Sequence, residues 1–557
     1  MGSSQAFLIA SSDVSTRGAA PSVADPDRTD VVIVGSGINA LVCAALLARA
    51  GIGVVVLEQA DVLGGAIRSA ELTLPGFTHD VFSAWHPLFV ASAAHASLAA
   101  DLSRHGLRYE TAKAVTATAT ADGLSVLMTR SRDETVAELE RHGAGEGGRF
   151  VADRSSFDEV APWVMSVLGN EAVSRATAGS ALAAVRHLGS RGARALAGSL
   201  VESARTWLVS TYRSDAARAL FAPWVLHTGL GVDAAGSGVM GRAIASLLEG
   251  VGLPVPSGGG DRLVLALRKV IEENGGSCRT SADVDRVIVA GGRAVGVRLV
   301  TGEAVGARMA VVCSVTPPAL YDRLLIDAPV PDWARRAARR FRFGRAGMQI
   351  HYALSAAPRW VVDERLGSVP VVHLTEGLDG VSKAVGEAEQ GLLPQAATVV
   401  CGQPCAVDPT RAPEGAWILW IQLQELPSRP RGDAGGTIDV GDGTWTDSLR
   451  ERYADRIHDR LAQHIDHFDS LVQARVALSP ADIARANPNL VGGDIYAGAC
   501  DLDQNLMFRP RPELSGHGTP IRRLFQIGAS THPGPGLGGV SGTLVAQRLL
   551  RRSSRRH

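Results

Sequence analysis

The run from Asp30 to Ser69, DVVIVGSGINALVCAALLARAGIGVVVLEQADVLGGAIRS, constrains the fold of this chain more than any other stretch. Val31-Val32-Ile33-Val34 is short, apolar and β-branched, as a buried strand requires. Gly35-Ser36-Gly37-Ile38-Asn39-Ala40 follows as a G-x-G-x-x-A turn, and helical spacing then runs through Leu41, Ala44 and Leu47 to a stop at Gly51. A second strand, Val54-Val55-Val56-Leu57, ends on Glu58 with Gln59 beside it. Strand, glycine turn, helix, strand and acid in this order predict a βαβ unit that holds a dinucleotide. Gly35 allows the tight turn, Gly37 lets the backbone approach a pyrophosphate, and Ala40 keeps the helix close to the sheet. The helix start at Ile38 and Asn39 offers free N–H groups and a positive dipole end to phosphate, and Glu58 stands where an acid holds ribose hydroxyls.

Gly64-Gly65 comes soon after the acid, followed by Ala66-Ile67-Arg68-Ser69. This doublet resembles that of the FAD-dependent amine oxidase and phytoene desaturase superfamily, in which its backbone borders the FAD phosphates. Many relatives carry Arg directly after the doublet. Here Ala66 stands there, and Arg68 is the nearest residue to supply the charge. Near the C-terminus, Leu524-Phe525-Gln526-Ile527 reads as a strand, residues 528–542 are rich in glycine, and 543–550 read as a helix. The resemblance implies that Gly528, Thr531, Gly539 and Val540 border the cofactor, with a helix N-terminus aimed at the flavin. Between these segments, Pro256-Ser257-Gly258-Gly259-Gly260 precedes an apolar helix at 263–270, and strands at 281–289 and 294–300 flank a Gly291-Gly292 turn. In relatives this block completes the cofactor domain, which implies that the backbone of Val284 meets the adenine. Further stretches at 75–80, 86–87, 408–415, 492–496, 502–504, 509–510 and 531–534 are similar to one phytoene-desaturase-like branch, that of the pyridine nucleotide-disulphide oxidoreductase domain-containing proteins of type 2.

The expected architecture is α/β: a discontinuous, Rossmann-like FAD-binding domain of glutathione-reductase type with an inserted α+β substrate domain. The cofactor domain is expected from 30–110, 251–320 and 511–550. A helical substrate segment is expected at 111–250 and a mixed sheet and helix segment at 321–510, with a mobile tail at 1–28 and a basic tail at 551–557. In the run Trp417 to Leu423, Ile418, Trp420 and Gln422 fall on one face. A length of 557 residues, 46% hydrophobic and 20% charged, suits a globular enzyme of several domains. Zero formal net charge and no basic stripe exclude nucleic acid as a partner. Six scattered cysteines fit free thiols in a reducing cytoplasm, and the C-x-x-x-C of Cys401 and Cys405 is neither a redox nor a zinc motif. No apolar run is long enough to span a membrane. The C-terminal arginines read first as a solvated helix end and second as a peripheral contact with an anionic membrane.

The chemistry implied is hydride transfer from a C–H bond of a largely apolar small molecule to the flavin N5, as in a desaturase. The accompanying proton needs a base, for which His79, Asp80, His86 and His532 are the candidates, each weighed against a structural role. Trp85 and Trp420 would suit the alternative of amine oxidation. Flavin-dependent isomerisation and a non-catalytic flavin-binding interaction module complete the set, the last predicting a filled cavity over the ring. No metal is required. His464 and His467 could share a helix face, though their polar neighbours favour a solvated helix. Arg509 and Arg511 would either bind an acidic substrate group or pair at the surface.

Overall fold

The computed structural model describes residues 28–553, so the tail expected at 1–28 lies outside the described residues up to Arg28, as does the basic tail beyond residue 553. Two seven-stranded sheets organise the chain. In the first, Arg28–Val34 lies between Val54–Leu57 and Ala304–Cys313, parallel to both, and Ser277–Arg279 extends the parallel set. The far side of Ala304–Cys313 is shared. Its first half pairs with the hairpin strand Arg293–Leu299, and Val311 to Cys313 pair with Leu524–Gln526. Strands covered on both faces must be apolar throughout, which explains the unbroken valine and isoleucine runs. One face is covered by helices Ile38–Arg49, Asp261–Glu273 and Val540–Ser553 through Leu41, Leu47, Leu267 and Val545. Tyr321, Leu324 and Ala337 cover the other face.

The second sheet runs in the order Val472–Leu478, Ala346–Leu354, Trp417–Leu426, Val399–Gly402, Val371–Thr375, Ala114–Thr120 and Ser125–Thr129. Helix Asp447–His464 packs on one face through Leu449, Tyr453, Ile457 and Leu461. The other face meets Ala204–Thr211, Asp215–Leu226 and Ser237–Val251. The helical reading of 111–250 is thereby corrected at its start, where two strands join this sheet. Thr116 and Thr118 alternate with Val115, Ala117 and Ala119, and their buried hydroxyls donate to the carbonyls of Val371 and Ala219, so strand geometry satisfies them. The expected helix face at 464–467 is also corrected. The helix ends at His464, and His467 adopts left-handed backbone geometry with φ 54°, which separates the two imidazoles.

A buried ionic knot ties the sheets together. Arg411 is fully buried and donates to Asp80 and Asp408, each at 2.8 Å, and to the Pro256 carbonyl at 2.8 Å. The free oxygen of Asp80 accepts from Ser69 Oγ (2.6 Å) and the Gly260 N–H (2.8 Å), while Asp408 accepts from the Gly258 N–H (2.7 Å). Each carboxylate thus has a fixed donor besides the guanidinium, which a buried ion pair needs.

Candidate cofactor and substrate cleft

A cleft of about 630 Å³ opens between the sheets, within the range of small-molecule sites. One end is walled by Gly35, Gly37, Ile38, Asn39, Glu58, Gln59, Gly65, Arg68, Val284 and Gly528, all expected there from the sequence. Gly35 leaves the first strand at φ +89°, where an L side chain is strained, and a Cβ would lie 3.2 Å from the Ser314 carbonyl. Gly37 differs. Its backbone is extended, and a Cβ there would meet no protein atom within 4 Å, so the space above the turn is open. The helix beginning at Ile38 has no side-chain cap, which leaves its first N–H groups for an anion.

Glu58 braces this end. Its carboxylate accepts from the Ser36 N–H (2.9 Å), the Ser36 hydroxyl (2.7 Å) and the Ala60 N–H (3.0 Å). The Ser36 oxygen accepts from the Gly64 N–H (3.1 Å), so Ser36 joins the acid to the glycine doublet. That role was not read from the sequence, because the residue occupies a variable position of the turn. Gly64, Ala40, Thr531, Gly539 and Val540 do not line the cleft. Ala40 is buried against the sheet, Gly64 pairs with Gly37, and the Thr531 hydroxyl donates to the Gly528 carbonyl at 2.9 Å. Gly539 and Val540 instead start the last helix, which crosses the first so closely that the Gly542 N–H donates to Asn39 Oδ1 at 3.3 Å. An open glycine turn, an uncapped helix start and a braced acid together fit a dinucleotide.

The other end is a chamber walled by Trp85, Trp224, His227, Leu247, Leu248, Trp420, Gln422 and Gln424. Trp85 and Trp420 meet edge to face with centroids 5.2 Å apart, and Trp420 Nε1 donates to the Asp80 carbonyl at 2.9 Å. The four candidate bases are placed elsewhere; none lines the cleft. His79 Nε2 is bonded to Thr73 at 2.7 Å, and burial, the His351 ring and Arg411 push it down to about 2. Asp80 belongs to the ionic knot. His86 contacts the Tyr109 hydroxyl at 3.2 Å, and burial lowers it to about 4. His532 is fully buried among the carbonyls of Leu506, Val167 and Asn170, and burial lowers its pKa too. These side chains brace the walls. The chamber's imidazole is His227, which the sequence reading passed over because it stands alone after an apolar helix. Burial pushes it down to about 3, so it is neutral at ordinary pH.

Arg509 is corrected as well. It is fully buried and donates to the carbonyls of Ala529 (2.8 Å), Ala499 (3.0 Å) and Tyr496 (3.2 Å), wiring 496–500 to the C-terminal cofactor segment. Arg511 is also buried, 3.8 Å from Asp503. Among the described residues no cluster of His, Cys, Asp and Glu could hold a metal, all six cysteines are free, and no helix is long and apolar enough to cross a membrane.

Residues 33–107 match a family model described as an NAD(P)-binding Rossmann-like domain. Over 94% of its length the chain is 26% identical to pyridine nucleotide-disulfide oxidoreductase domain-containing protein 2 of Mus musculus, of which 93% is covered. It is 27% identical to the hydroxyneurosporene desaturase of Rubrivivax gelatinosus, covering 95% of this chain and 94% of that one. In fold it is similar to cyclohexylamine oxidase from Brevibacterium oxydans, with a TM-score of 0.54 at 17% identity over 94% of this chain and 99% of that one. With its nucleotide-binding sheet and second, substrate-side sheet, the chain is similar over nearly its whole length to FAD-dependent oxidoreductases of the phytoene desaturase kind, and in fold to amine oxidases.

Proposed function

We propose that this chain dehydrogenates a largely apolar organic molecule, placing a C–H bond against FAD held at the glycine end of the cleft. The observation that carries this reading is the continuity of one cleft from the open turn at Gly37 to a chamber walled by Trp85, Leu247, Leu248 and Trp420. FAD, when bound, supplies the two-electron acceptor for the hydride. Gly35, Gly37, Gly65 and the start of the helix at Ile38 would hold its phosphates, Glu58 its ribose, and the 527–537 segment would lie beside its ring. The apolar walls of the chamber align the substrate, and because burial disfavours the protonated form of His227 and both its ring nitrogens face side chains, the proton that accompanies the hydride passes to solvent through the cleft and not to that imidazole. A module that binds flavin without turnover would have this chamber filled by side chains.

The test is the visible spectrum of the purified protein followed by anaerobic titration with a lipophilic polyene precursor. Flavin absorption that bleaches with the precursor is expected. A protein that carries no flavin and cannot be reconstituted with FAD would overturn the reading. The Trp85–Trp420 pair favours one alternative, oxidation of an amine, and bleaching by amines alone would select it.

A further inference from the structure

The wall of the chamber formed by the second sheet is not uniformly apolar. Across four adjacent strands Gln349, Gln422, Val400 and His373 stand in one register row, with Gln424 one step along the same face. Gln349 is 1% exposed, Gln424 3% and His373 0%. Gln424 Nε2 donates to Gln422 Oε1 (2.9 Å) and lies 3.4 Å from His227 Nδ1, while His227 Nε2 meets His373 Nε2 at 3.1 Å. Gln349 Nε2 donates to the Phe82 carbonyl at 3.1 Å. The pairing stops there. Gln349 Oε1, Gln424 Oε1 and His373 Nδ1 are buried without a hydrogen-bond partner. Each such atom costs about 1–3 kcal/mol; Gln349 and Gln424 stand on the cleft wall, where a ligand can satisfy them, whereas His373 sits behind His227.

Charge narrows what that something is. The charged residues on the cleft wall are Glu58, Arg68, Asp283 and Arg323, all near the nucleotide end, and no carboxylate faces the polar row. Burial holds His227 and His373 neutral, so the row carries no net charge. An ammonium would find no counter-ion there, a carboxylate no cation, and a pure hydrocarbon would leave the amide oxygens unpaired. A hydroxyl can donate to a glutamine oxygen and accept from a glutamine N–H.

We infer that Gln349, Gln422 and Gln424, with His227, recognise a neutral hydroxyl group on the apolar substrate. This deepens the dehydrogenase reading above and rests on it. The substrate class is then an apolar alcohol with an isoprenoid-like or aliphatic body, held by its oxygen while a C–H bond is presented to the cofactor.

Calorimetric titration of the FAD-loaded protein with farnesol, farnesene and farnesylamine tests this on one carbon skeleton. Farnesol is expected to bind at least about tenfold more tightly than either of the others, the scale of a paired against an unpaired buried polar group. Gln424→Met keeps the volume and removes the amide; it should bring farnesol within about twofold of farnesene while FAD content stays at the wild-type value. If Gln424→Met fails to fold, Gln349→Met, at the other end of the row, supplies the same comparison. Farnesene binding as tightly as farnesol, farnesylamine binding most tightly, or no binding of any of the three would each overturn the inference. Retained FAD with any of those results leaves the cofactor assignment standing, whereas absent FAD removes the dehydrogenase reading whatever the ligand preference.

Discussion

Gly37→Ala separates cofactor binding from folding more cleanly than any other substitution in the cleft. The residue has φ −61° and ψ 166°, geometry that alanine adopts without strain, and an added Cβ meets no protein atom within 4 Å. The apo-protein should therefore be unchanged or more stable by about 0.4–1 kcal/mol, through loss of freedom in the unfolded chain. The methyl instead enters the space into which a pyrophosphate would settle. Crowding a close-packed contact by one methyl costs about 1–3 kcal/mol, so FAD affinity should fall roughly five- to 150-fold. Gly64→Ala is the contrasting case. Its Cβ would lie 2.2 Å from the Ile67 carbonyl at φ +117°, so stability and binding should fall together. Thermal melts of the apo-proteins with fluorescence titration of FAD give both quantities. Equal FAD affinity in wild type and Gly37→Ala would refute the placement of the pyrophosphate over this turn. A destabilised apo-Gly37→Ala would refute the claim that the space belongs to a ligand.

Arg411→Met should destabilise the folded chain by about 3–5 kcal/mol in urea unfolding, because Asp80 and Asp408 would remain buried without their cation; a loss under about 1 kcal/mol would show that the knot contributes little. Gly542→Ala would drive a Cβ to 1.8 Å from the Asn39 carbonyl, so the last helix must back away from the first, and both melting temperature and FAD retention should drop; unchanged values of both would contradict the close crossing. Burial raises the Glu425 carboxyl from 4.5 to about 7. Between those pH values the folded chain keeps a proton that the unfolded chain releases, so stability should fall as pH rises through the window, by about 3 kcal/mol in all. Glu425→Gln can still accept from the Thr398 N–H and donate to its hydroxyl, and should flatten that slope; parallel melting curves against pH for the two proteins would refute this.

The nucleotide half of the cleft was legible because its demands fall on the backbone. A tight turn, a close approach and a helix start all require glycine at set places, and Gly35, Gly37 and Gly65 stand in a contiguous stretch of sequence. The substrate half was not, since Gln349, His373, Val400 and Gln422 become neighbours only through strand register, which a single sequence does not encode locally. The misplaced bases show the same limit at finer scale. Trp85 and Pro87 face the chamber while His86, between them, turns away to Tyr109. His532 sits in the right segment but its ring is walled in by backbone carbonyls. At 114–120, threonine and alanine alternate with the period of a strand, a signal submerged in an otherwise helical and alanine-rich neighbourhood.

The division of one strand's flank between two partners sets an order of events during synthesis. Arg28–Val34, Val54–Leu57 and Ala304–Cys313 can zip together once the last of them is made, but Val311 to Cys313 then present a bare row of amides and carbonyls until Leu524–Gln526 arrives. At about 5–20 residues per second, the ribosome takes roughly ten to forty seconds to cross that interval. Throughout it the half-built molecule carries an open β edge beside an unclosed nucleotide pocket, the kind of surface that seeds aggregation. The strand Leu524–Gln526 pairs the edge, and the final helix that follows it, whose glycine meets Asn39, packs on the first helix behind the glycine turn. Cutting the chain before residue 524 should therefore yield an aggregating product, not a weaker enzyme.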